Sequence, residues 1–192
     1  MIENVYVTIF LIASLMFLDY FLTIKSVRLA KRGHSRYIKL ESYELNPIFR
    51  KSVDQMRYSW KHFLGVILAA MGIYFFYYLS VNTILFFSMN GYHMLQGMLL
   101  SIFIFINAGH IRNLMVFNAI KKDRSLLSGK LKQSHLFSLK AGIAEAIKLF
   151  VILFSLFLLY PSYFTFGFAL GPLLVANKGR AWIKKHLKGT KN

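Results

Sequence analysis

One carboxylate has surroundings that call for an explanation. Asp19 lies inside the apolar run Val5–Ile24, six residues before Lys25. At the helical rise per residue this puts it about 9 Å inside the boundary that the first basic residue marks. An unpaired carboxylate at that depth is costly unless it takes up a proton, so a cation is expected beside it. Thr23 follows one turn later on the same face. In another apolar run Glu145 and Lys148 stand five and eight residues past Lys140, about 8 and 12 Å deep. In a third, Asn107, His110 and Asn113 share one face by their spacing of three. Such a set could bind an ion or relay a proton through Asp19, His110, Glu145 and Lys148. It could equally fix helix register as buried pairs. Lys148 or His110 is the expected partner of Asp19, with Glu145 and Lys148 compensating one another.

A second constellation is soft. Met89, His93, Met94 and Met98 cluster at the start of the third apolar run. Thioethers with an imidazole could hold Cu(I), although methionine is also ordinary membrane filler. Familiar catalytic signatures are missing: no H-E-x-x-H, no G-x-S-x-G, no P-loop and no glycine-rich dinucleotide turn. There are no cysteines, which excludes disulfides, thiolate zinc sites and cysteine nucleophiles. No cofactor is implied, and the expectation is a non-catalytic protein.

The elements that must position these residues follow from hydropathy. The 192 residues are 56% hydrophobic and 17% aromatic but only 16% charged, too little charge to cover a soluble surface. Runs of roughly 20 apolar residues span a bilayer core. Spans are expected at 5–24, 63–81, 94–113 and 141–160, the third able to continue to Ile120. A shorter fifth, 162–177, follows the turn signal Tyr160-Pro161. The expected fold is an all-α integral membrane helical bundle with five transmembrane helices, or four plus a re-entrant hairpin. The N-terminal stretch carries Glu3 and no basic residue before Lys25, so the first helix is expected to stay rather than be cleaved.

The net charge of +17 is distributed in a telling way. Of the 24 Lys and Arg residues, ten lie between Lys25 and Lys61, eight between Arg112 and Lys148, and six between Lys178 and Lys191. Residues 1–24 and the turns 82–96 and 160–163 contain none. That alternation puts the basic segments in the cytoplasm, with the N-terminus outside and the C-terminus inside a multi-pass cell-membrane protein. Trp60 and Trp182 fall at inner edges, and Tyr6, Tyr92, Tyr160 and Tyr163 at outer ones. The basic segments are the loop 26–61, the loop 121–140 and the tail 178–192. Their expected partners are membrane lipids, through anionic headgroups at the cytoplasmic face, and not nucleic acid.

Within the first loop, Asn46-Pro47 reads as an N-cap and first helical position. From there Phe49, Val53, Met56 and Trp60 form one apolar stripe, predicting a short interfacial amphipathic helix that runs into the second span. Residues 181–187 could lie on the interface in the same way. Small residues recur four apart at Gly65/Ala69, Gly97/Ser101, Gly142/Ala146 and Gly167/Gly171, a spacing that lets helix backbones approach closely.

Asp19-x3-Thr23, then Glu44-x-Asn46-Pro47, then Lys61 entering the next span, resembles a family of small polytopic prokaryotic membrane proteins of unknown function. The likeness covers Asp19–Lys61. It implies that Asp19, Thr23, Glu44 and Asn46 form one cytoplasm-facing cluster, and it supplies no reaction. Function is therefore expected to be that of a membrane-complex subunit, associating with other subunits or with itself, or of a small binding bundle. The alternatives are an ion- or proton-coupled carrier or channel, and an inner-leaflet lipid-modifying enzyme using Asp19 and Glu44.

Overall fold

The computed structural model describes residues 4–33, 38–40, 48–82, 89–123 and 131–189. Five long helices make up most of it: α1 (Val5–Gly33), α3 (Trp60–Asn82), α4 (Met89–Lys122), α5 (His135–Leu159) and α6 (Tyr163–Gly189). A short α2 (Arg50–Asp54) precedes α3. Two three-residue strands, β1 (Ile38–Leu40) and β2 (Leu131–Gln133), pair in parallel with Ile38 opposite Leu131. Four helical stretches are long and apolar enough to cross a membrane: Val5–Lys31, Trp60–Asn82, Met89–Lys122 and Leu136–Leu159.

The contacts order the helices. Thr8 meets Tyr92 and Gln96 while Asp19 meets His110, so α1 and α4 run parallel. Met16 meets His62 and Tyr6 meets Tyr74, so α3 runs antiparallel to α1. Gly97 lies against Phe164 and Gly171 against Met98, making α6 parallel to α4. Phe157 touches Phe166, and Gly179 abuts Ile143, making α5 antiparallel to α6. The ends of α1, α4 and α6 and the starts of α3 and α5 consequently share one end of the bundle. That end carries Lys25, Arg28, Lys31, Lys61, Lys121, Lys122, Lys140, Lys178 and Arg180. It is called the basic end below.

The helices outrun the apolar stretches that nucleate them. α1 continues nine residues beyond Ile24, α4 reaches Lys122, past the Ile120 to which its span could continue, and α6 extends through the basic tail to Gly189. Lysine and arginine are good helix formers, and cations suit the negative C-terminal end of a helix. Three basic segments read as loop or tail thus begin as helix. α6 is one uninterrupted helix with Pro172 inside it, not a hairpin, and 181–187 continue it. Its N-terminus is fixed by reciprocal caps: Thr165 N–H donates to Ser162 Oγ at 3.1 Å and Ser162 N–H to Thr165 Oγ1 at 3.0 Å.

The interfacial helix is shorter than its stripe. α2 starts at Arg50 with Phe49 at the N-cap position and no side-chain cap. Its end is marked by Met56 in the left-handed region, at φ 57°. A non-glycine residue there costs about 1–2 kcal/mol. It turns the chain, so that 57–59 are not helical and α3 begins afresh at Trp60. Burial accounts for the sacrifice: Val53 is fully buried with Tyr20, Ile24 and Val27, flanked by Phe49 and Met56. A second cluster, Val5, Ile12, Ile73, Tyr92 and Leu100, holds α1, α3 and α4 together at the other end. The outer faces are apolar, with Phe63, Leu68, Met71 and Phe75 of α3 and Val151, Ile152 and Leu158 of α5 exposed. Patches of that extent suit lipid, not water.

Candidate functional site

Three α1 residues spaced by four, Leu15, Asp19 and Thr23, face α4 and meet Asn107 and His110 there. Asp19 Oδ1 lies 2.9 Å from His110 Nε2, and Thr23 Oγ1 lies 3.0 Å from the same nitrogen. Thr23 spends its own proton on the Asp19 carbonyl at 2.9 Å, the back-bond to residue i−4 common for threonine in helices. Its oxygen is left to accept. A carboxylate and an accepting hydroxyl on one ring nitrogen require that nitrogen to carry the proton. The ring therefore holds a proton on Nε2. The Asp19 and His110 side chains remain 24% and 20% exposed.

One turn away, Asn107 is buried. Its Nδ2 donates to the Leu15 carbonyl at 3.0 Å and to the Phe103 carbonyl at 2.8 Å. Its Oδ1 is buried with no hydrogen-bond partner among the described residues. Because the Leu15 carbonyl also closes the helical bond to the Asp19 N–H, the amide docks on the peptide group directly above the carboxylate.

The other side of α1 carries a second histidine. His62 Nε2 lies 3.0 Å from the Met16 carbonyl, and its ring stacks on Tyr20 at 4.4 Å between centroids. Tyr20 donates to the Arg57 carbonyl at 3.1 Å, and Lys31 donates to the Asp54 carbonyl. These bonds seat α2 and the start of α3 on α1. At the opposite end Thr8 accepts from Tyr92 Oη at 3.2 Å and from Gln96 Nε2 at 2.6 Å. Neither group was a sequence candidate. His62 follows Lys61 at the start of the second apolar run. Thr8 and Gln96 are uncharged, although a glutamine inside an apolar run with Tyr92 one turn before it was a usable signal.

The predicted cluster is thus assembled in part. Asp19, Thr23, Asn107 and His110 come together. Lys148 does not join them: it is exposed on α5, which packs on α6, whereas the face of α1 opposite Asp19 belongs to α4. The partner of Asp19 is His110. Glu145 is paired with Arg112 of α4 and not with Lys148, both side chains being about half exposed. Glu44 and Asn46 lie outside the described residues, so neither is placed in the cluster, and the N-cap position of α2 is Phe49 and not the expected Asn46. Met89, His93, Met94 and Met98 occupy the first turns of α4. His93 is buried beside the Tyr92 ring, with its Nδ1 lacking a partner among the described residues. The backbone carbonyls of Met94 and Met98 are packed against Gly167 and Gly171.

The chain matches no family model, no curated protein and no solved structure.

Proposed function

We propose that the chain is a non-catalytic integral membrane protein: a small binding bundle, working alone or as a subunit of a membrane complex. Its polar cluster opens toward the cytoplasm. In this reading α6 is a fifth span, the N-terminus lies outside and the basic end meets the anionic inner leaflet. The up-and-down order of the five helices supports it, since that order gathers the basic residues at one end. One observation carries the functional part. The only carboxylate in the first apolar run is held by a histidine of another helix, and both side chains stay about one fifth exposed. Ionisable groups kept inside a span, partly open and shared between two helices, commonly mark a bound ligand or ion. The Asp19–His110 contact also favours ion or proton coupling as a second reading, because both groups can change charge.

With no native cysteine, topology is directly testable. Asn90→Cys and Ser162→Cys should react with an impermeant thiol reagent in intact cells, and Lys122→Cys and Lys178→Cys only after lysis. Labelling of Lys178→Cys from outside would remove the fifth span or the orientation. For function, the protein purified in mild detergent should carry a stoichiometric ligand or partner by native mass spectrometry, lost in Asp19→Asn. Flux into proteoliposomes that depends on Asp19 would instead select the carrier. Absence of both would overturn the reading.

A further inference from the structure

On the reading just given, we infer that the ligand of the α1–α4 cluster is a monovalent alkali cation, held by oxygen atoms of Asp19 and Asn107. The charge around Asp19 is the first reason. The carboxylate carries one negative charge, and the Nε2–H that His110 turns to it is already supplied by a neutral imidazole. The nearby cations are engaged elsewhere. Arg112 is turned to Glu145, Lys25 lies over the Phe21 ring, and Lys148 is exposed on the far helix. One negative charge inside a span therefore calls for one positive charge.

The second reason is the orphaned oxygen. Asn107 is 4% exposed, and its amide nitrogen is doubly engaged while its carbonyl oxygen is buried without a partner among the described residues. Buried acceptors are almost always satisfied, so this one points to a missing donor or cation. It sits one turn from His110, on the helix that also presents the partner of Asp19. The donors are hard: a carboxylate and an amide oxygen. Hard oxygen sets select alkali and alkaline-earth ions over transition metals. A single carboxylate matches one positive charge, whereas calcium sites recruit several. The one-fifth exposure of Asp19 leaves room for water to complete the shell.

Thermal unfolding in detergent tests this. Sodium chloride replacing choline chloride at constant ionic strength should raise the Tm of the whole protein saturably, by about 2–5 °C. The gain should vanish in Asp19→Asn and in Asn107→Leu and persist in Thr8→Val. Should Asn107→Leu fail to fold, Asn107→Asp keeps an oxygen at the position and should keep the response. Bound radioactive sodium, displaced by unlabelled sodium and not by choline, should track the same variants. A Tm indifferent to sodium, or a gain that survives Asp19→Asn, would overturn the inference and leave a buried water as the partner of Asn107. If sodium is without effect while native mass spectrometry still finds an Asp19-dependent ligand, the cation fails and the binding bundle stands. If neither appears, both fall.

Discussion

α4 is held on its two sides by opposite means. Against α6 the contact is backbone on backbone: a methyl group added at Gly97 would enter the Phe164 carbonyl, and one at Gly167 the Met94 carbonyl, while Gly171 abuts Ser101. Against α1 the contact is side chain across a gap, through Thr8 to Tyr92 and Gln96, Leu15 to Asn107, and Asp19 with Thr23 to His110. Lipid tails give helices no hydrophobic reason to associate, so close packing and interhelical hydrogen bonds must do it. The glycine seam uses the first and the polar seam the second. A backbone seam tolerates no added atom and fixes one spacing. A side-chain seam can rearrange, and it keeps exchangeable protons and open polar atoms where a ligand can reach them. On the proposed reading, the α4–α6 pair is the frame and the α1–α4 pair the working side.

The largest effect should come from breaking the frame. Gly167→Ala drives a methyl into main chain that has no flexible end to yield, and should cost about 3 kcal/mol or abolish folding. Gly65→Ala, on α3 with nothing near its missing Cβ, should lie within about 1 kcal/mol of the parent, on the stabilising side. Thermal unfolding in detergent compares the two. Equal losses would mean that small-residue spacing, and not the α4–α6 contact, governs both positions.

On the polar seam the next effect belongs to Asp19 and His110. The contact is a hydrogen bond to a carboxylate, a kind worth about 1.5–3 kcal/mol, between side chains about one fifth exposed. Asp19→Asn and His110→Leu should each lower stability by about 2–3 kcal/mol, with the double variant recovering part of the loss. Strict additivity would show that the contact carries no energy. At the other end of the seam Thr8→Val strands the donors of Tyr92 and Gln96 and should cost about 1–2 kcal/mol. A silent Thr8→Val would mean that both donors find other acceptors.

Much of this was legible in the sequence, for identifiable reasons. Long apolar runs announce helices, and the grouping of Lys and Arg between them announces that alternate connections share an end. Asp19, Thr23, Asn107 and His110 could be nominated because polar groups in apolar runs are costly enough to be meaningful. What spacing could not supply was neighbourhood. Gly65/Ala69 and Gly167/Gly171 have the same pattern, yet only the second meets a partner, since the pattern describes one helix and the contact needs two. The basic extension of α1 was missed, and those of α4 and α6 were foreseen only in part, because hydropathy marks where lipid ends, not where the helical hydrogen bonds end. α2 was drawn too long because its apolar stripe continues through Met56, where burial of Phe49, Val53 and Met56 on α1 favours a turn over another helical step.

Lys148 is the sharpest case of missing neighbourhood and gives the smallest expected effect. By depth it was the best cation for Asp19, with His110 the next candidate. Depth, however, fixes only one coordinate, and the bundle decides the other. α5 packs on α6 and α6 on α4, so Lys148 is separated from α1 by the frame itself, with its ammonium free to reach outward along the basic end. Lys148→Met removes an exposed charge and should change stability by no more than about 0.5 kcal/mol. Combined with Asp19→Asn, its effect should simply add, because the two groups share no contact. A double-variant cycle measured by thermal unfolding decides this. Coupling above about 0.5 kcal/mol between Asp19 and Lys148 would place α5 against α1, move the polar seam to a different pair of helices and undo the division of α4 into a frame side and a working side.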